Sequence, residues 1–239
     1  MNTTSAVRCE EVVLHALSFA ARAVLLERLA EFAEQHYCLE NRETFIHQVI
    51  KPDEDGVLAI FSVQDQWVGF TRIYQQEVFV SGGEYTAFFG SSWYNQAFKL
   101  DQIAARFALV HTMRYKLFQP HKRMVYLATA NTPQRYRYLH QLSADCVAQT
   151  DAPADSIMAE IVSAIAQKNG WEVDKDSPLI IKQCYPLRDY PLQELDQDPS
   201  FTQLNPNYRK GHWLMVSIPL DMQTIGHCIR KNVGELAYL

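Results

Sequence analysis

The chain has 239 residues, of which 48% are hydrophobic and 21% charged, enough for one large domain with a substantial core. The net charge of −5 and the pI of about 5.9 give no global basic field, so nucleic acid is not expected as a partner. No apolar run approaches the ~20 residues that span a bilayer, and the start MNTTSAVRCEEVV lacks the features of a signal peptide.

The cysteines and histidines predict neither a disulfide framework nor a metal site. The histidines are dispersed, without an HxxxH or HxH pair, and no two cysteines form a CxxC pair. We therefore expect free thiols, a cytoplasmic location and no bound metal. The five cysteines are Cys9, Cys38, Cys146, Cys184 and Cys228.

The first fifty residues predict one strand and two helices. The segment 11–18, EVVLHALS, has the β-branched, partly alternating pattern of a strand. Ser18 can then cap a helix that continues to Tyr37, and a shorter helix is expected over 42–50. The apolar stripe of the first helix is predicted to consist of Val24, Leu25, Leu29 and Phe32.

The middle of the chain predicts an antiparallel meander followed by a parallel crossover. Segments 57–63 and 67–80 are apolar, and their short polar link is typical of a hairpin. A third strand is expected over 85–95. A helix over 101–118 then leads to a buried strand over 124–130, and this β-α-β arrangement implies parallel pairing of its two strands.

The last third predicts one helix, a long loop and two closing strands. Asp155 or Ser156 can cap the helix. Segments 178–187 and 212–220 are expected to be strands, with a long loop over 188–210 between them. The whole chain, 1–239, is thus predicted to be a single α/β domain with an extended C-terminal half.

The order β-α-α-β-β-β-α-β-α-β-β resembles that of the GCN5-related N-acetyltransferase (GNAT) superfamily. The run WVGFTRIY is similar to that family's third strand, and YLATANTPQRYRYLHQL is similar to its fifth strand and fourth helix. The resemblance implies a mixed, mostly antiparallel central sheet with one parallel βαβ crossover. It also implies that a thioester donor lies where the fourth and fifth strands splay apart.

The chain departs from the family at the loop that holds the donor's pyrophosphate, where the family has a glycine-rich pattern. Here the sequence is FKLDQIAARFAL, with Gln102, Ala104 and Ala105 near the corresponding positions and no glycine. Relatives such as acyl-homoserine lactone synthases and N-acyl amino acid synthases take long acyl chains from acyl carrier protein. The expected donor is therefore either acyl-CoA or an acyl group on a phosphopantetheine arm, with acyl carrier protein as a partner in the second case.

The resemblance also implies which residues form the site. Tyr138 matches the family's tyrosine that protonates the departing thiolate, with Tyr136 as its competitor if the register slips and a core role as the alternative. A backbone N–H at the end of the fourth strand, at Ser92, Trp93 or Tyr94, is expected to polarise the thioester carbonyl.

Six further side chains have both a site role and a structural alternative. Glu84 is the carboxylate nearest to the fourth strand and is the candidate general base, unless it is a solvated turn residue. Asn131 either contacts the donor or ends its strand, and Asn131 or Thr132 is expected to cap the helix that follows. Arg135 is expected to meet a donor phosphate, as are Lys99, Arg106 and Arg137, unless these side chains are surface charges.

These features predict an N-acyltransferase that moves an acyl group from a CoA or carrier-protein thioester to a small-molecule amine. Two alternatives remain open. One is a non-catalytic GNAT-fold protein that binds a ligand or a protein, and the other is a different thioester chemistry, such as decarboxylation, in the same cleft. The sequence leaves the oligomeric state open, a homodimer included.

Overall fold

A computed structural model describes residues 6–142, 156–182, 185–188 and 198–226. Short 3-10 turns at Leu14–Ala16 and Tyr208–Lys210 and a π-helical segment at Ile46–Ile50 accompany the regular elements. The strands are β1 Arg8–Val12, β2 Gly56–Val63, β3 Gln66–Val80, β4 Gly83–Tyr94, β5 Met124–Ala130, β6 Ile180–Ile181 and β7 Trp213–Pro219. The helices are α1 Phe19–His36, α2 Arg42–Phe45, α3 Asp101–Phe118, α4 Pro133–Leu142, α5 Ile157–Asn169 and α6 Pro199–Leu204.

The strands form one seven-stranded sheet in the order β1-β2-β3-β4-β5-β7-β6. Neighbours run antiparallel except β4 and β5, which are parallel and are joined by α3. The predicted meander and the single parallel crossover are therefore confirmed. The fold is α/β, with a mixed and mostly antiparallel sheet, as the sequence predicted.

Helices cover both faces of the sheet, which we call the α1 face and the α3 face. The ring of Phe32 on α1 lies 6.0 Å from that of Phe70 on β3. On the other face, the ring of Phe88 on β4 lies 5.1 Å from that of Tyr115 on α3. The β3–β4 register is unbroken from Gly69–Tyr94 to Val80–Gly83, so side chains along β4 alternate strictly between the two faces.

Two predictions for the N-terminal part need correction. The first strand is Arg8–Val12 rather than 11–18, because the chain turns into a 3-10 segment at Leu14. Val24 was placed on the apolar stripe of α1 but is 62% exposed. The cap prediction for α1 is confirmed, since the Ser18 hydroxyl accepts a hydrogen bond from the N–H of Ala21.

The described end of the predicted loop over 188–210, residues 198–210, contains a short helix and a 3-10 turn. Residues 189–197 lie outside the described part, but α6 follows them, with the Asp198 side chain accepting from the N–H of Phe201. Phe201 is fully buried, and this burial explains why the polar segment becomes a helix. The strand predicted over 178–187 is reduced to Ile180–Ile181 in the described residues.

Candidate functional site

The strands β4 and β5 separate at their carboxyl ends. Their pairing runs from Thr86–Met124 to Gly90–Ala128, although β4 continues to Tyr94 and β5 to Ala130. The hydroxyl of Tyr126 on β5 lies against Gly90, where a β-carbon would collide with it. We call the space beyond this contact the β4–β5 opening.

The edge of β4 along this opening carries backbone groups of alternate residues. The N–H of Thr86 donates to the Arg123 carbonyl on the β5 side, so by alternation the backbone groups of Ser92 and Tyr94 also face that side. The Tyr94 N–H donates to the hydroxyl of Tyr37, at 3.2 Å. Outside the sheet, no group of the described residues accepts a hydrogen bond from the Ser92 N–H. This N–H is therefore the group best placed to bind a donor carbonyl.

Arg135 also contacts this edge. Its guanidinium donates to the Ser92 carbonyl at 3.4 Å and to the Ser92 hydroxyl at 3.0 Å, and the residue is only 7% exposed. The Ser92 hydroxyl also accepts from Thr71 on β3, at 2.9 Å. No ion pair links Arg135 to a carboxylate within the described ranges. A buried, unneutralised cation thus lies at the β4–β5 opening.

The beginning of α4 fixes where Arg135 points. Thr132 caps the helix, because its hydroxyl accepts from the Arg135 N–H at 3.2 Å, and Pro133 is the first helical residue. The capping role that the sequence left open between Thr132 and Asn131 therefore belongs to Thr132. Asn131 is half-buried between the end of β5 and α4.

The two tyrosines of α4 have different environments. Tyr136 is 7% exposed, and its ring lies 5.3 Å from Phe201 and 4.4 Å from His140. Tyr138 is half-buried and lies three residues after Arg135, on the same side of the helix. The geometry therefore favours Tyr136 as a packing residue and leaves Tyr138 as the candidate acid.

The start of α3 differs from a site built for a diphosphate. Gln102 is exposed, but Ala104 and Ala105 are buried and point into the core. The hydroxyl of Tyr94 donates to the Asp101 carboxylate in the first turn of the helix. A carboxylate there repels a second anion, so this helix end offers less to a pyrophosphate than a glycine-rich loop does.

One basic side chain of α3 lacks a partner. The Nε and Nη2 atoms of Arg106 are buried and make no hydrogen bond within the described part of the chain. Lys99, just before the helix, is exposed. These two cations, with Gln102, are the groups near the start of α3 that could bind a phosphate.

Two predicted site residues do not fit their roles. Glu84 lies at the start of β4, eight residues from Ser92, which corresponds to ~26 Å along a strand, so it does not reach the opening as a general base. The Trp93 side chain points to the α1 face, and its ring lies 4.7 Å from that of Tyr37. The Trp93 backbone faces β3, where it pairs with Phe70, and so cannot bind a donor at the opening.

Burial keeps the phenols around the opening protonated. Desolvation raises the pKa of Tyr37 and of Tyr126 to about 12 each, and it raises the pKa of Tyr94 well above its usual value of 10. At neutral pH these hydroxyl groups are therefore hydrogen-bond donors. Tyr37 itself was not predicted as a site residue, because nothing in the sequence shows that the end of α1 meets the end of β4.

The described residues contain no group of three or more His, Cys, Asp or Glu side chains that could hold a metal ion. A search of the same residues for a helix long and apolar enough to cross a membrane found none.

No family model matches the sequence, and no curated protein matches it. Several solved structures are similar in part, with identities of 9 to 12%. A conserved protein of Enterococcus faecalis V583, described as a probable N-acyltransferase, has a TM-score of 0.37, with 56% of this chain and 31% of that one covered.

Two further structures are similar over more of their own length. The aminoglycoside N-acetyltransferase AAC(6')-Iy in complex with CoA has a TM-score of 0.38 at 12% identity, with 59% of this chain and 88% of that one covered. FeeM, an N-acyl amino acid synthase from uncultured soil microbes, has a TM-score of 0.33 at 11% identity, with 58% of this chain and 79% of that one covered.

Proposed function

We propose that the chain transfers an acyl group from a thioester donor to an amine at the β4–β5 opening. The observation that carries this proposal is the end of pairing at Gly90–Ala128, beyond which both strands continue. Beyond this point the edge of β4 is not paired with β5, and its Ser92 N–H is a hydrogen-bond donor of the kind that stabilises a tetrahedral oxyanion. Helix α4 begins just after β5 ends, beside this edge.

Each group near the opening has a role in this proposal. The Ser92 N–H binds the thioester carbonyl and stabilises the charge that develops on its oxygen when the amine attacks. Tyr138 donates its proton to the departing thiolate, for which a phenol is suited, and it is reprotonated from water, which also accepts the proton that the attacking amine loses. Arg135, held by Ser92, supplies a positive charge that stabilises the thiolate before the proton reaches it.

The donor we favour carries a long acyl chain on a phosphopantetheine arm, either on acyl carrier protein or on CoA. Asp101 in the first turn of α3 and the buried Ala104 and Ala105 weaken the usual pyrophosphate site. A donor on carrier protein does not need that site, because its arm ends in a single phosphodiester. Arg106 then has one phosphate to bind instead of two.

Donor binding and product formation test the proposal. Acetyl-CoA, long-chain acyl-CoA and the same long chain on carrier protein are titrated by calorimetry, and mass spectrometry then detects amide products with a panel of amines. We expect weak binding of acetyl-CoA, tighter binding of the long-chain donors and amide formation with at least one amine. Micromolar or tighter acetyl-CoA binding, without preference for a longer chain, would contradict the donor assignment.

A second function is favoured by the contacts that Arg135 and Tyr37 make with the edge of β4. These contacts cover part of the donor edge, as in a protein that binds a thioester without transferring its acyl group. Donor binding without any amide product supports this alternative, and release of carbon dioxide from a malonyl thioester indicates a decarboxylase. If neither CoA nor carrier-protein thioesters bind, the acyltransferase proposal and these thioester alternatives are all wrong.

A further inference from the structure

Most of the exposed large hydrophobic side chains lie at one end of the molecule. This end is formed by the β3–β4 turn, the carboxyl ends of α3 and β7 and the amino end of α5, and we call it the hairpin end. It lies opposite to the β4–β5 opening, because β4 begins at the hairpin end and finishes at the opening. The side chains at this end are Phe79, Leu117, Phe118, Ile157 and Met222, and the only others among the described residues are Phe19 and Val24 of α1.

Contacts between separate elements hold the hairpin end together. A β-carbon at Gly82, in the β3–β4 turn, would lie 2.8 Å from the Cδ1 atom of Ile157 at the start of α5. The Arg123 guanidinium donates to the Gly82 carbonyl, and the Lys122 ammonium donates to Glu77 on β3 at 2.8 Å. The strand β7 ends beside the start of β5, so the segment after it lies at the same end. The exposed hydrophobic side chains of these elements therefore share one region of the surface.

The segment that joins α3 to β5 gives this region a positive charge. Residues 114–123, RYKLFQPHKR, contain four basic side chains and a histidine but no carboxylate. Arg114 is exposed one helical turn before Phe118 and so lies on the same side of α3. The Lys116 ammonium donates to two backbone carbonyls of the segment. Within the described residues, Arg114, Lys116 and Arg123 form no ion pair with a carboxylate.

The carboxylates of the hairpin end leave an excess of positive charge on its α3 side. Glu77 and Glu84 are on the α3 face, and both lie close to Lys122. Glu160 belongs to α5, on the α1 face, and accepts two hydrogen bonds from the β3–β4 turn. Asp221 follows β7 and caps the turn there. Since the whole chain has a net charge of −5, the α3 side of this end differs in sign from the protein as a whole.

Projecting aromatic rings beside basic groups fit an anionic lipid surface. Phe79 and Phe118 are 77% and 83% exposed, so their rings project into solvent. Such rings insert among lipid headgroups, while basic side chains beside them attract the lipid phosphates. A second copy of the chain fits less well, because a two-fold contact through the hairpin end would bring its unpaired cations together.

We propose that the hairpin end binds the surface of an anionic membrane. Phe79, Leu117 and Phe118 insert among the headgroups, and Arg114 and Arg123 lie against the lipid phosphates. The β4–β5 opening is ~30 Å away, at the other end of β4, so a donor can enter it while the protein is bound to lipid. This inference goes beyond the proposed function and does not depend on it.

Vesicles of defined composition test the proposal. The full chain is sedimented with vesicles of phosphatidylcholine alone and with vesicles that contain equal amounts of phosphatidylcholine and phosphatidylglycerol. We expect at least ~10-fold tighter binding to the anionic vesicles, because each basic side chain near an anionic surface contributes about 5-fold in affinity. Added salt should weaken this binding, since it screens the charges.

Variants with matched controls identify the surface that binds. Phe118→Ser and Phe79→Ser should each weaken binding to the anionic vesicles ~10-fold, because each loses a ring that inserts. The control is Phe19→Ser, which removes an 81% exposed ring from a groove that also contains three carboxylates, and it should bind as the wild type does. Arg114→Gln should weaken binding ~5-fold, whereas Arg8→Gln, which changes an exposed arginine on β1, should have less effect.

Three results would overturn the inference. They are absence of binding to the anionic vesicles, equal binding to both kinds of vesicle, and an equal loss of binding in Phe19→Ser and Phe118→Ser. Sedimentation velocity without lipid tests the other occupant, since a dimer that Phe118→Ser dissociates would show that the hairpin end is an interface between copies. Thioester titration of Phe118→Ser should match the wild type, so a failure of lipid binding and a failure of the proposed function are separate observations.

Discussion

The last four residues of β4 present two different faces to the protein. On the α3 face, the hydroxyls of Ser92 and Tyr94 are bonded to Arg135 and Asp101, and their backbone edge meets Tyr37 and Arg135. On the α1 face, Ser91 and Trp93 lie among aromatic rings with their donors unpaired. The same short stretch thus has one face whose polar groups are hydrogen-bonded and one whose polar side-chain groups have no partner among the described residues.

Polar groups on the two faces of β4 contribute differently to stability. A buried hydrogen bond contributes about 0.5–1.5 kcal/mol, whereas an unpaired buried donor costs about 1–3 kcal/mol. Substitutions on the α3 face should therefore lower both stability and activity. On the α1 face, Ser91→Ala removes an unpaired buried hydroxyl and should leave stability unchanged or improve it.

Tyr138→Phe should have the largest effect, because it removes the proposed acid from the α3 side of the opening. Turnover is expected to fall ~10²–10⁴-fold, as the loss of a general acid does. Donor affinity should stay near that of the wild type, and the free energy of unfolding should change by about 1 kcal/mol at most, because the ring is kept. Steady-state kinetics, calorimetry and thermal melting measure these three quantities.

Tyr136→Phe is the matched control for Tyr138→Phe, since its ring packs on Phe201 and it lies on another side of α4. It should retain most of the activity. If Tyr136→Phe is inactive and Tyr138→Phe is active, the general acid is Tyr136 instead of Tyr138. Full activity in both variants would show that neither tyrosine acts as the general acid.

Arg135→Met should lower turnover ~10- to 100-fold, because it removes the positive charge proposed to stabilise the departing thiolate, an interaction with a charged group that is worth about 1.5–3 kcal/mol. Arg137→Met is the control, since Arg137 lies two residues later, is exposed and carries the same charge. Steady-state kinetics with a long-chain thioester compares the two variants. Equal losses in both variants would show that the effect is long-range charge and not the contact with Ser92.

The sequence predicted the parts of this site that depend on local pattern. Periodicity predicted the strand 124–130 and the helix that begins near Asp101, and a capping pattern predicted the helix that follows Asn131. Both signals act within a few residues. These signals also place Arg135 and Tyr138 on one side of a helix at the end of a core strand.

What the sequence did not predict depends on contacts between distant segments. Tyr37 meets Tyr94 across 57 positions, and Trp171 and Trp213 reach β4 from the last third of the chain. No local pattern reports such contacts. Glu84 was chosen because it is close to β4 in sequence, but an extended strand puts its first residue far from its last.

Gly90→Ala tests the contact between β4 and β5 at the point where their pairing ends. A β-carbon at Gly90 would collide with the hydroxyl of Tyr126, a ring that is 2% exposed and cannot move aside. We expect a loss of about 1–3 kcal/mol in the free energy of unfolding, typical of an overpacked core. Chemical denaturation measures it, with Ala87→Gly on the same strand as a control for backbone freedom. A fully stable Gly90→Ala would show that β4 and β5 can shift apart at this point.

Tyr37→Phe should have the smallest effect, and its dependence on pH identifies the cause. Tyr37 joins the two faces, since its ring packs on Trp93 while its hydroxyl bonds to the backbone N–H and carbonyl of Tyr94. At pH 7 the variant should lose about 1–2 kcal/mol, because the Tyr94 N–H is left unpaired.

This cost should shrink as the pH rises above 10. Burial raises the pKa of Tyr37 to about 12 in the folded protein, whereas a phenol in the unfolded chain ionises near 10. The unfolded state therefore loses this proton first. The stability that protonated Tyr37 contributes below pH 10 is lost between pH 10 and about 12. The variant has no phenol at this position, so it escapes this loss of ~1.4 kcal/mol per pH unit. The other buried tyrosines affect both proteins equally. Chemical denaturation at pH 7, 9 and 11 should show the two stabilities converging, and a constant difference would mean that the Tyr37 hydroxyl is not held in a buried site.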